Sequence, residues 1–93
     1  MKYVAWDVDK NEWLKIARGI SFEEIMNAMV EGNAITILRH KNVDRHPNQR
    51  LFVVNIDNYA YLVPFVEDDE KVFLKTVYPS RKYTRQYIEK GGS

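Results

Sequence analysis

Between Ala34 and Val77 the chain is a succession of apolar, β-rich runs joined by connections too short to carry a parallel crossover, and this restricts the fold more than any other feature. Parallel neighbours need a dozen or more intervening residues, whereas an antiparallel hairpin closes in two. Ile35-Thr36-Ile37-Leu38 predicts a strand, and the polar stretch from His40 to Gln49, with its Asn, Asp and Pro, reads as an exposed loop. Residues 51–56 predict the next strand, and Asp57-Asn58 a two-residue turn into another over residues 59–66. Pro64 has no N–H to give to a ladder, which places it at a sheet edge or a bulge. The acidic run Glu67-Asp68-Asp69-Glu70 makes a turn, and residues 72–77 form a final strand.

Before Ala34 the period changes. Residues 3–6 read as a short strand, and Asp7 or Asp9 can cap a helix running through Trp13, Leu14 and Ile16 to about Arg18. Gly19 ends it, Ser21 opens a second helix with Glu24 three residues on, and that helix carries Phe22, Ile25, Met26 and Met29 at helical spacing until Gly32. Residues 9–31 are thus two short helices around a tight corner. At the other end Tyr78-Pro79-Ser80 breaks the last strand, Ser80 can cap, and residues 81–90 form a terminal helix ahead of a flexible Gly91-Gly92-Ser93 tail. The order β-α-α-β-β-β-β-α, with helices available to cover one face, defines an α+β two-layer sandwich on a four- to five-stranded, mainly antiparallel sheet, a single domain over residues 1–90.

At 93 residues one core must carry this fold, and any site must lie on its surface. Without cysteine, neither a disulfide framework nor a thiolate metal site can form, which suits a reducing compartment. The start lacks the apolar run of a signal peptide, and no later run reaches the length of a membrane span, so a cytoplasmic protein away from membranes is expected. The net charge of +1 conceals a segregation. Residues 1–38 hold four basic against six acidic side chains and residues 51–77 two against five, whereas residues 39–50 and 78–93 each hold four against one. Brought together, the two basic segments would make a local field attractive to a polyanion.

The terminal segment Ser80-Arg81-Lys82-Tyr83-Thr84-Arg85-Gln86-Tyr87 carries the richest chemistry. Helical spacing aligns Arg81, Arg85 and Glu89 on one face and Tyr83 with Tyr87 on a neighbouring stripe. Two guanidinium groups can hold a phosphate bidentately and stabilise a pentacoordinate phosphorane, and the tyrosines can stack a base. The same pattern also suits tyrosines anchored in the core beneath a solvated basic face. His46, and less so His40, sits among Lys41, Arg45 and Arg50 with a pKa suited to general acid–base work, or is an ordinary surface residue. Two histidines without cysteine make a structural zinc site improbable, residues 67–70 lack an EF-hand's ligand pattern, and there is neither a glycine-rich phosphate loop nor a nucleophile elbow. No metal or cofactor is expected.

Several of these residues together resemble the BrnT toxins, RNA-cleaving members of the RelE-like group. Trp6-Asp7 with Lys10 is similar to that family's opening Trp-Asp-x-x-Lys, and Gly19-Ile20-Ser21-Phe22-Glu23-Glu24 to its Gly-Val-Ser-Phe-Glu-Glu corner. Asp44-Arg45-His46 followed by Arg50 is similar to its Asp-x-His loop, and Ser80-Arg81-Lys82-Tyr83-Thr84-Arg85 to its Ala-Arg-Lys-Ala-Thr-Arg/Lys helix. The chain departs at Ala17-Arg18, where a basic-His pair is frequent, and at Tyr87, where an acidic residue is expected. The resemblance implies a ribonuclease toxin that blocks translation, paired with an antitoxin bearing a ribbon-helix-helix DNA-binding domain, through which it could oligomerise. It implies that Arg81 and Arg85 contribute most to cleavage, with Lys10, His46, Arg50, Lys82 and Thr84 near the RNA. The competing expectations are a nucleic-acid binder without turnover, and a protein-interaction module using an exposed apolar strand edge. The nuclease reading requires the 40–50 excursion and the terminal helix to converge on one electropositive hollow.

Overall fold

The computed structural model describes residues 2–39 and 49–89. Strand β1 (Tyr3–Trp6) runs into Asp7, whose extended backbone and side chain, accepting from the Lys10 N–H at 2.9 Å, start helix α1 (Val8–Ala17). Gly19, at φ +66°, takes the left-handed conformation that turns the corner. Ser21 then accepts from the Glu24 N–H at 3.1 Å and opens helix α2 (Phe22–Val30). A second cap comes from α1 itself. Asn11 is buried, its Oδ1 accepts the Phe22 N–H at 2.8 Å and its Nδ2 donates to Glu23 Oε1 at 2.7 Å, so one side chain locks the two helices together.

Strands β2 (Ala34–Arg39), β3 (Gln49–Ile56), β4 (Tyr59–Glu67) and β5 (Lys71–Leu74) pair antiparallel in sequence, with a two-residue β6 (Tyr78–Pro79) also on β4. The β3–β4 turn places Asp57 at φ 53° and Asn58 at φ 64°, the doubly left-handed geometry of a tight hairpin that these two residue types tolerate. The sheet order is β1-β5-β4-β3-β2, and β1 lies parallel to β5. The chain is therefore α+β with a mixed open sheet. The parallel pair escapes the short-connection rule because β1 and β5 are far apart in sequence.

Pro64 lies neither on an edge strand nor at a bulge, but in the continuous register of interior strand β4, opposite Leu51. Its carbonyl accepts the Lys75 N–H at 2.8 Å, on the side where β5 has ended and β6 has not begun. In an antiparallel ladder a residue's N and O point the same way, so the missing N–H faces that interruption and no ladder bond is lost. The final strand is correspondingly shorter than the 72–77 expected: it ends at Leu74, and Lys75-Thr76-Val77 leave the ladder.

Strand alternation divides the core in two. On one face Leu14, Ile20, Phe22 and Ile25 of the helical corner pack on Val54, Val63, Phe65 and Leu74, all buried. Each such side chain, fully buried, stabilises the fold by about 1.5–3 kcal/mol. On the other face Val53, Ala60 and Leu62 are covered by Tyr83, Tyr87 and Ile88. The expected two layers are thus three where the terminal helix sits, because its apolar side chains cover the face that α1 and α2 leave open. That helix is one α turn, α3 (Arg81–Tyr83), continuing as a π-helical segment over Thr84–Glu89. Among the described residues no helix is long and apolar enough to cross a membrane.

Candidate nucleic-acid interface

The terminal helix is fixed by a compact set of hydrogen bonds. Ser80 caps it, its Oγ accepting the Tyr83 N–H at 3.2 Å, and the Ser80 N–H donates to the Ala60 carbonyl at 2.9 Å. Thr84 is only 4% exposed; its Oγ accepts the Ala60 N–H at 2.8 Å and donates to the Ser80 carbonyl at 2.7 Å. Ala60 is thereby bonded through both its N–H and its C=O to the terminal segment, which carries the β4–β6 ladder on into the helix. Buried, and with its one proton given to the Ser80 carbonyl, the Thr84 hydroxyl holds the terminal segment to the sheet.

What this docking presents outward is basic. Arg81, Lys82 and Arg85 are exposed and take part in no ion pair among the described residues. Tyr83 and Tyr87 are half-buried with ring centroids 5.8 Å apart, and Lys82 Nζ lies 5.4 Å from the Tyr83 ring. The tyrosines pack on the sheet, the anchoring role the sequence allowed, and keep part of their surface exposed beside Lys82. The π-helical i→i+5 pattern alters the side-chain alignment predicted for Arg81, Arg85 and Glu89, since residues four apart no longer complete the same turn.

Arg50 does not join them. It pairs with Phe65 across the strands, on the face covered by α1 and α2, and its guanidinium sits 5.0 Å from the Phe65 ring while binding Glu67. Ala60, where the terminal helix docks, is five residues away along β4, about 17 Å at strand rise. Opposite faces and opposite ends of the strand keep Arg50 and Arg81 apart, so the two basic segments do not converge through Arg50. His40 and His46 lie outside the described residues. Lys10 is on α1, its Nζ 4.2 Å from the Trp13 ring centroid.

Arg50 is also occupied electrostatically. Glu67 takes both Arg50 and Lys2, the latter at 2.7 Å, and the Lys2 hydrogen bond, followed by the charges of Lys2 and Arg50, holds its carboxyl below the ordinary 4.5. At the next residue, the backbone N–H groups of Glu70 and Lys71 hold Asp68 below its ordinary 3.8. Depressed carboxyls contribute stability above their unfolded values and lose it as pH falls through the folded ones. The thermal midpoint should therefore be nearly level above pH 4.5 and fall below it; Glu67→Gln should flatten part of that acid limb, and an unchanged acid limb in that variant would show that the pair contributes nothing.

Among the described residues no group of three or more His, Asp or Glu is arranged to hold a metal ion. A further cation, Arg18, was not singled out from the sequence as a site residue. Arg18 follows α1, lies 4.9 Å from the Trp13 ring, and its Nη1 donates to the Val77 carbonyl at 2.6 Å. Its position three residues before Ser21 could have marked it only as a helix end. Comparison with protein-family models, with curated proteins and with solved structures finds no match.

Proposed function

We propose that this protein is the toxin of a bacterial toxin–antitoxin pair, a RelE-like ribonuclease that inhibits translation by cutting RNA. The observation that carries the reading is the terminal helix: Arg81, Lys82 and Arg85 stand exposed and unpaired among the described residues, beside two tyrosine rings, on a segment hydrogen-bonded to the centre of the sheet. Guanidinium pairs match a phosphodiester, and preorganised positive charge is what the phosphorane of RNA cleavage demands. In this reading the ribose 2′-oxygen bonds to phosphorus as the bond to the 5′-oxygen breaks, giving a 2′,3′-cyclic phosphate and a 5′-hydroxyl, with no metal or cofactor. The 2′-hydroxyl proton passes to a general base, and the leaving 5′-oxygen takes up a proton from that base's conjugate acid or from water; the resemblance offers His46 as the base, but His46 lies outside the described residues, so the reading is carried by the terminal helix alone. The likeness of the corner and tail motifs to BrnT toxins supports the same conclusion and supplies the partner, an antitoxin with a ribbon-helix-helix domain. It also supports a cytoplasmic location.

A second reading is favoured by Arg50 and Thr84, both withdrawn into internal bonds: the same helix binds RNA without cutting it. Incubation of the purified protein with an end-labelled single-stranded RNA separates the two. Shortened products ending in a cyclic phosphate support the nuclease; a retarded band of unchanged length supports the binder and sinks the nuclease. If RNA is neither shifted nor shortened, both fall.

A further inference from the structure

We propose that Trp13, Lys10 and Arg18 form a second RNA-contacting platform, which extends the path of a single strand from the terminal helix around the end of the sheet onto α1. The inference rests on the RNA reading above and adds a site to it.

The two tryptophans are used differently. Trp6 stacks on Phe22 at 5.5 Å and packs against the core, whereas Trp13 is 45% exposed on the outer side of α1. An indole left at the surface with a lysine 4.2 Å and an arginine 4.9 Å from its ring adds nothing to the core. It is, however, the pairing of stacking surface and cation that single-stranded nucleic acid uses. Neither cation has a carboxylate partner among the described residues. Of the acidic neighbours, Asp7 accepts the Lys10 N–H as a helix cap and Glu12 pairs with Lys15 at 3.3 Å, while Asp9, one turn before Trp13, is the carboxylate an RNA strand would have to pass.

Arg18 ties this cluster to the terminal helix. Its Nη1 is held by the Val77 carbonyl at 2.6 Å and reaches Thr76 Oγ1 at 3.4 Å. Val77 belongs to the core under α1 and α2, whereas the next residue, Tyr78, packs on the opposite face with the terminal helix. The chain thus passes from one face of the sheet to the other where Arg18 grips it. Arg81 follows Val77 by four residues, so their Cα atoms are at most about 14 Å apart. Cations with no carboxylate partner among the described residues therefore follow one another as Lys10, Arg18, Arg81, Lys82 and Arg85, with Trp13 at one end and Tyr83 and Tyr87 at the other. A base can take the place of the mobile Lys10 ammonium over the indole and release that charge to the adjoining phosphate, while Arg18 stays where its hydrogen bonds hold it.

The test is fluorescence titration with a single-stranded RNA oligonucleotide of about sixteen nucleotides, a length within single-strand site sizes, over a range of salt. The wild type should show tryptophan quenching that Trp13→Leu abolishes. Trp13→Leu should bind about tenfold more weakly through loss of one stacked base. Lys10→Gln should reduce the slope of log affinity against log salt by about 0.7, the amount for one phosphate contact on a single strand, which a purely structural change would leave alone. RNA binding by the wild type with unchanged affinity, quenching and salt slope in both variants would overturn this platform and leave the terminal helix standing. Quenching by an acidic peptide but not by RNA would also overturn it, by assigning the surface to a protein partner. Failure of the wild type to bind RNA would remove the functional reading and this inference together.

Discussion

The double variant Arg81→Ala/Arg85→Ala is expected to fold like the parent, to lose growth arrest on inducible expression in bacteria, and to cleave RNA at least about a hundredfold more slowly. Its fold should survive because both side chains are exposed and make neither an ion pair nor a side-chain hydrogen bond among the described residues, while the bonds that dock the helix belong to Ser80, Thr84 and Ala60. The rate should not survive, because removing a single preorganised donor from a developing oxyanion commonly costs about a hundredfold or more, and here two cations go together. Lysine at both positions should restore part of the activity, since charge returns but the bidentate fork does not. Arg50→Ala provides the contrast: its guanidinium is committed to Glu67 on the other face, so cleavage should change far less than in the double variant. Full toxicity in a double variant whose melting curve matches the parent would rule out the arginine mechanism, and a loss in Arg50→Ala as deep as that of the double variant would place the site elsewhere.

The parts of this fold legible from sequence are those decided within a few residues. Asp7, Ser21 and Ser80 each cap a helix with the side chain that their residue types predict, Gly19 takes the left-handed turn, and Asp57-Asn58 closes the hairpin with both φ angles positive. What was illegible is decided across distance. Nothing local to residues 3–6 says that β1 will lie parallel to β5, and nothing in residues 81–89 says which face of the sheet Tyr83 and Tyr87 will cover. The site suffered from the same limit. A run of basic residues gives charge but not direction, so Arg50 and Arg81 read as partners although strand parity and Glu67 separate them. Arg18 read as the end of a helix because the Val77 carbonyl that aims it is 59 residues away. Asn11 carries no local signal of its role either: it is buried and caps the neighbouring helix, whose first N–H lies eleven residues on.

Thr84→Val should be strongly destabilising for so conservative a change. Valine has nearly the shape of threonine, so the buried volume is kept and the loss is confined to the hydroxyl. That hydroxyl is the partner of the buried Ala60 N–H and also donates to the Ser80 carbonyl, so its removal leaves the amide unsatisfied at a cost of about 1–3 kcal/mol. In a domain of this size each kcal/mol moves the melting temperature by about 4–8 °C, so calorimetry should find a clear drop. Thr84→Ser, which keeps the oxygen, should recover most of it. RNA cleavage should fall in Thr84→Val and return in Thr84→Ser in parallel with stability, because Thr84 acts by docking the helix that carries Arg81 and Arg85. The alternative, a hydroxyl that touches the substrate, makes a different forecast: cleavage would collapse in the valine variant while its melting temperature stayed at the parent value. That outcome would assign the Thr84 hydroxyl to the substrate and overturn its docking role.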